Sequence, residues 1–139
     1  MGKVRLGMIG LGGIANGVHL PGYMKLDNCE LVAICDIDES KLKATGDKYS
    51  IPEDRRYTDY RELIACDDID AVDIATWNSV HCEIAKAAAL AGKHFSVEKP
   101  VGMNYAEAYD LAKTAENMNV QSFICLSWRY HPYTRYVKY

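Results

Sequence analysis

An α/β fold with a doubly wound, mostly parallel sheet is predicted by three features of the chain. There are six short apolar runs, helix-forming stretches between them, and a glycine-rich turn where the first run ends. Strands alternating with helices imply crossover connections, which bring parallel strands side by side with helices on both faces.

Val4-Arg5-Leu6-Gly7-Met8-Ile9 is mostly apolar and stops at glycine, as a strand buried on both faces does. A helix is predicted from about Ile14, disturbed at Pro21-Gly22. Leu31 to Cys35 forms the second apolar run, closed by Asp36. Residues 38–49 read as a surface helix with Asp38 and Glu39 at its start, where the helix dipole favours acids. Arg56-Tyr57 reads as a brief strand ahead of a helix from Tyr60 to Cys66. Ala71 to Ala75 is the fourth strand, and the alanine-rich stretch from Cys82 to Ala91 is a helix stopped by Gly92. His94 to Val97 is the fifth strand, cut off by Pro100. Tyr105 to Met118 is the last long helix, and Gln121 to Leu126 the sixth strand.

The 139 residues suit one domain, long enough to bury a core without staples. The formal net charge is -3 and the sixteen Lys and Arg are scattered. Nucleic acid and anionic membranes need a concentrated basic patch, so neither is an expected partner. Five cysteines contain no C-x-x-C pair, which argues against a disulfide framework or a metal site. Buried reduced thiols in a cytoplasmic protein are expected instead. The apolar start, Leu6 to Ala15, holds four glycines and falls far short of the ~20 residues of a membrane span.

Gly10-Leu11-Gly12-Gly13-Ile14-Ala15 fits G-x-G-x-x-[GA] between a strand and a helix. In that place Gly10 permits the tight turn, Gly12 lets the backbone approach a pyrophosphate, and Ala15 keeps helix and strand close. The helix N-terminus offers free N–H groups and a positive dipole end. Asp36, at the next strand end, can accept from both ribose hydroxyls and would repel a 2′-phosphate. Ile37 follows with no arginine beside it, so NAD is favoured over NADP. The plainer alternative is a tight glycine turn with Asp36 capping the following helix.

Glu98-Lys99-Pro100 follows the fifth strand at the sheet edge where open α/β folds bind ligands. A lysine there could orient a substrate hydroxyl and favour loss of its proton. The spacing is equally compatible with an exposed Lys–Glu pair beside a strand-ending proline.

Taken in order, Gly10 to Ala15, Leu31 to Asp36, Thr76-Trp77-Asn78-Ser79-Val80-His81, Ala91-Gly92-Lys93-His94 and Glu98-Lys99-Pro100 resemble the N-terminal half of the Gfo/Idh/MocA oxidoreductases. The resemblance implies a Rossmann domain in which Gly10, Gly12, Gly13 and Ile14 hold the pyrophosphate, and Asp36 with Ile37 meets the adenosine ribose. It implies that Thr76, Trp77, Asn78 and His81 line the nicotinamide side, with Glu98 and Lys99 at the nicotinamide ribose and substrate. Lys99 is the catalytic residue and Arg129 a further cofactor neighbour under that reading. Trp77 departs from the family, which usually has proline there. His19 and His131 carry no partner pattern and are expected to be structural or solvent-facing.

The resemblance also implies a second α/β domain, absent from this chain, that supplies most substrate contacts and a general acid/base. Residues 1–126 are then the dinucleotide domain and 127–139 the start of a crossing toward it. The function implied is hydride transfer between NAD(P) and a sugar, polyol or related hydroxyl compound, by a protein that forms homo-oligomers when whole. This chain alone is expected to bind NAD and turn over substrate poorly. A non-catalytic NAD-binding sensor is the alternative.

Overall fold

The computed structural model describes residues 2–137. Six parallel strands stand in the order β3-β2-β1-β4-β5-β6. They are β1 Val4–Ile9, β2 Cys29–Cys35, β3 Arg56–Tyr57, β4 Ala71–Ile74, β5 His94–Val97 and β6 Ser122–Ile124. The helices between them are α1 Leu20–Tyr23, α2 Glu39–Tyr49, α3 Tyr60–Ile64, α4 His81–Leu90 and α5 Tyr105–Asn117, with α6 Pro132–Val137 after the last strand. The chain runs outward from β1 to β3, then returns to lay β4 on the other side of β1. This is the doubly wound Rossmann arrangement, with its switch point between β1 and β4.

Alternation along β1 sends side chains to both faces. Met8 packs with Leu20 of α1 and Leu42 of α2, whereas Ile9 packs with Leu63 of α3 and the alanines of α4. Ala85, Ala88 and Ala89 are fully buried, and their small side chains let α4 lie close against the sheet. Gly7 makes room for α3 in the same way, since a Cβ there would stand 2.6 Å from Leu63 Cδ2. Each fully buried Met8, Ile34, Leu63 or Ile74 contributes roughly 1.5–3 kcal/mol of transfer free energy.

The caps explain the boundaries. Asp38 accepts from the N–H groups of Ser40 and Lys41 and so starts α2 rather than lying within it. Asn104 accepts from Glu107 N at 3.0 Å, and Glu107 reaches back to Met103 N at 2.9 Å, fixing the start of α5.

Four expectations need correction. The helix after the glycine turn, starting near Ile14, widens into a π-helical turn over Ala15–His19 before it continues as α1. Pro21 sits in the first turn of α1, where its missing N–H costs nothing, so Pro21-Gly22 is no break. The sixth strand is short, and Phe123 and Ile124 are exposed, because β6 is the sheet's edge. Of the five thiols only Cys35 is buried; Cys29, Cys66, Cys82 and Cys125 are half-buried.

Candidate functional site

The site is built at the carboxyl edge of the sheet, around the switch point. Hydrogen bonds carry the parallel ladder past the strand ends: Gly10 N donates to Cys35 O, Ala75 N to Ile9 O, and Glu98 N to Ile74 O, all within 2.9 Å. The segments that follow β1, β2, β4 and β5 are thereby held side by side. Gly10 has φ +91, and a Cβ there would lie 2.4 Å from Ala75 O. Only glycine fits.

At Gly12 and Gly13, by contrast, a Cβ would meet no protein atom within 4 Å. The space above them is open. Asn16 braces the turn from behind, donating from Nδ2 to Leu11 O at 2.8 Å.

Asp36 belongs to the same unit. Its Oδ2 accepts from Leu11 N at 2.7 Å and its Oδ1 from Asp38 N at 3.0 Å. Each oxygen retains a lone pair, so the carboxylate can still accept two hydroxyl donors. Lys41, on the first turn of α2, brings Nζ to 4.0 Å from Asp36 Oδ1 and 3.7 Å from Asp38 Oδ2. Sequence reasoning missed this cation, although its helical position five residues after Asp36 could have revealed it.

A crevice of about 440 Å³ opens here, within the range of small-molecule sites. Of the predicted residues, Gly10, Gly12, Asp36, Ile37, Thr76 and Trp77 line it. Trp77 is 81% exposed, a large aromatic face at the mouth. Thr76 contributes a buried hydroxyl, Oγ1, that has no hydrogen-bond partner. A buried hydroxyl left unpaired is costly, and a ligand donor or acceptor would satisfy it.

Not every predicted residue lines this crevice. Gly13, Ile14, Asn78, Lys99 and Arg129 are exposed outside its lining, and Arg129 lies on the turn Ser127–Tyr130. His81 requires correction as a lining residue. It is fully buried, with Nδ1 2.8 Å from Pro100 O and Nε2 3.1 Å from Thr76 O. Its ring ties the loop after β4 to the loop after β5 from beneath. His94 Nδ1 accepts from Gln121 N at 3.0 Å, an ordinary structural role.

His19 is the largest departure. Its Nδ1 lies 2.6 Å from Asp73 Oδ2 on β4, and its Nε2 lies 3.0 Å from Glu98 Oε1. The hydrogen bond with Asp73, together with the charges of both carboxylates, raises the His19 pKa against the opposing effect of burial. Ser96 donates its hydroxyl to the other oxygen of Asp73, and Lys99 N donates to Glu98 Oε2 at 3.1 Å. Cys125 brings its thiol within 4.8 Å of His19 and Asp73. Burial and the two carboxylates push that thiol up to about 12.

The comparisons with known proteins fit this geometry. The sequence profile of the Gfo/Idh/MocA family, described as an oxidoreductase family with an NAD-binding Rossmann fold, matches residues 4–125. The chain belongs to this family. A relative named glycosyl hydrolase family 109 protein 4, from Phocaeicola vulgatus, is 37% identical over 92% of the chain and 26% of its own length.

Among solved members of similar fold is the WlbA dehydrogenase from Bordetella pertussis, in complex with NADH and UDP-GlcNAcA. It superposes with a TM-score of 0.90 at 27% identity, over 98% of this chain and 41% of its own. KijD10, a 3-ketoreductase from Actinomadura kijaniata solved with TDP-benzene and NADP, has a TM-score of 0.88 at 27% identity, over 97% and 41%. The chain therefore spans about a quarter to two fifths of the length of these family members. No helix among the described residues is long and apolar enough to cross a membrane.

Proposed function

We propose that this chain binds NAD across the carboxyl edge of its sheet. It is the cofactor domain of an oxidoreductase that moves hydride between the nicotinamide and a sugar, polyol or related hydroxyl compound. The observation that carries the reading is Asp36, held by the glycine turn on the wall of the crevice with one lone pair free on each oxygen.

The residues present fit the group. Gly12 and Gly13 leave room above the turn, Thr76 Oγ1 awaits a partner, and Trp77 offers an aromatic face at the mouth. Gly10, Gly12, Gly13 and Ile14 would hold the pyrophosphate, Asp36 and Ile37 the adenosine ribose. Thr76, Trp77 and Asn78 would stand on the nicotinamide side, with Glu98 and Lys99 beyond and Arg129 as an outer neighbour. When bound, the nicotinamide supplies the hydride acceptor. Lys99, exposed after β5, would orient a substrate hydroxyl and ease departure of its proton.

NAD is preferred over NADP in this reading, because a 2′-phosphate would face the Asp36 carboxylate. Lys41 moderates that repulsion without removing it. Residues 127–137 would lead out of the dinucleotide domain, the last two of the expected crossing, 138 and 139, lying outside the described residues, and the five free thiols suit a reducing, cytoplasmic setting. Nothing among the relatives favours a non-catalytic sensor.

Calorimetric titration of the chain with NAD and with NADP tests the reading. One saturable NAD site, with NADP at least about tenfold weaker, is the expected result. Absence of NAD binding, or tighter NADP binding, overturns it. The relative named a glycosyl hydrolase supports a second reading, in which the same dinucleotide site serves glycoside cleavage. Net NADH formation from a free sugar by the whole protein supports the first; aglycone release without net NADH supports the second.

A further inference from the structure

The network around His19 joins parts of the chain that no local pattern connects. His19 ends the π-helical turn Ala15–His19, a geometry that is rare and concentrated at functional sites because it re-aims a side chain within a helix. Its ring is 10% exposed, Asp73 is fully buried and Glu98 is 14% exposed.

Both nitrogens of the ring face carboxylate oxygens. An ionised carboxylate only accepts, so both contacts are satisfied only when both ring nitrogens donate. The doubly protonated ring is the form these contacts fit, and it separates two carboxylates that would otherwise repel. Asp73 is anchored on its far side by the Ser96 hydroxyl. Glu98 uses its second oxygen to accept from Lys99 N at 3.1 Å. A continuous path thus runs from β4 through the glycine-turn helix to the backbone of Lys99.

We propose that His19 is a positioning residue: bridging Asp73 and Glu98, it fixes Glu98 and, through it, the Lys99 segment against the glycine-turn helix. The inference rests on the reading of Lys99 under the proposed function for its significance, and on the contacts alone for its existence.

The groups facing this centre come from every neighbouring element. β4 gives Asp73, the end of β5 gives Glu98, and the residue after β6 gives Cys125. α1 gives Tyr23, whose phenol is pushed up by burial and by Asp73. Tyr23 and Cys125 are therefore neutral near neutral pH, and the charge balance lies between His19 and the two acids. When His19 loses its proton, one ring nitrogen can no longer donate. One carboxylate is then released, and the Lys99 N–H contact loosens with it if that carboxylate is Glu98. Glu98 is the half-buried and more weakly attached of the two, so it is the one to move.

The test is nuclear magnetic resonance on the ligand-free chain, comparing wild type with His19→Gln and Glu98→Gln. In wild type the His19 ring should titrate above the ordinary 6.5, and the Lys99 amide shift should follow with the same midpoint. In both variants the Lys99 amide should lose that transition. At a fixed pH below the midpoint, its hydrogen exchange should be about tenfold faster, the low end for losing a charge-assisted hydrogen bond.

Preserved spectra elsewhere in Glu98→Gln separate this from unfolding, since that variant leaves His19 and Asp73 in place. A Lys99 amide that ignores the His19 titration, or that keeps its transition in His19→Gln, overturns the proposal. An NADH titration of the same samples keeps the two claims apart: if NADH fails to bind while Lys99 follows His19, the dinucleotide reading falls and the positioning role stands.

Discussion

The backbone N–H of Leu11 donates to Asp36 Oδ2 at 2.7 Å, across 25 residues of sequence. The two halves of the dinucleotide fingerprint are therefore one mechanical unit. The acid holds the glycine turn in place and still presents free lone pairs to the crevice.

Replacing Asp36 should strike both functions. Asp36→Ala removes the acceptor for Leu11 N and both ribose acceptors, and NAD affinity should fall by roughly 1.5–3 kcal/mol, the range for hydrogen bonds to a charged group. With the carboxylate gone, the charge that would repel a 2′-phosphate disappears and Lys41 Nζ keeps only Asp38 beside it, so the NAD-to-NADP preference should narrow or reverse. Paired titrations of Asp36→Ala and Asp36→Ala/Lys41→Ala check this. An unchanged preference in the single variant would refute the role of Asp36 in cofactor choice.

Gly10 tests the turn itself. At φ +91, with Ala75 O only 2.4 Å from where a Cβ would lie, Gly10→Ala must strain the backbone and push apart the ends of β1 and β4. The expected loss is about 1–3 kcal/mol or more of folding stability, read by chemical denaturation. Gly12→Ala meets no protein atom, so it should leave stability nearly unchanged and reduce NAD binding instead. The contrast separates a glycine kept for the fold from one kept for the ligand.

The pH dependence of stability follows from His19. Its pKa in the folded chain is raised above 6.5, chiefly by the hydrogen bond with Asp73. The folded state therefore holds a proton through a pH range in which the unfolded chain has released it. The resulting stabilisation is complete below about 6.5 and is lost as pH rises through the folded value. Thermal midpoints should decline across that window in wild type. His19→Gln should be less stable below it and should lack the decline.

Lys99→Ala should separate binding from chemistry. The side chain is exposed and lies outside the crevice lining, so NAD affinity of the chain should change by less than about 0.5 kcal/mol. Turnover of the whole protein should fall by roughly 10²-fold or more, as for loss of a positioned proton-transfer group. Parallel loss of affinity and turnover would assign Lys99 to the cofactor rather than to the substrate.

Much of the fold was legible because it is written in local patterns. Val4–Ile9, Arg56–Tyr57 and His94–Val97 carry the apolar or β-favouring runs that a parallel strand needs, and Gly10 marks its turn by a conformation few residues adopt. β6 was read too long because an apolar run does not say whether it ends as a central or an edge strand. Asp36 was legible by its spacing from the turn. The His19 network was not, since its partners lie 54 and 79 residues away and only the crossovers bring them together. Nor could spacing show that His81 is turned inward, because a helix start is compatible with either face until the carbonyls of Thr76 and Pro100 claim the ring.

Thr76 offers the sharpest opposition of stability and binding. Its Oγ1 is buried and unpartnered in the ligand-free fold, so the hydroxyl is a liability until something bonds to it. Thr76→Val keeps the β-branched shape and removes the polar atom. The variant should be as stable as wild type or more stable, by up to about 1–2 kcal/mol, because an unsatisfied group disappears. NAD affinity should fall by about 0.5–1.5 kcal/mol, the net worth of one neutral hydrogen bond. Thr76→Ser retains the hydroxyl and should recover most of the binding without the gain in stability. If Thr76→Val binds NAD as wild type does, the hydroxyl does not meet the dinucleotide.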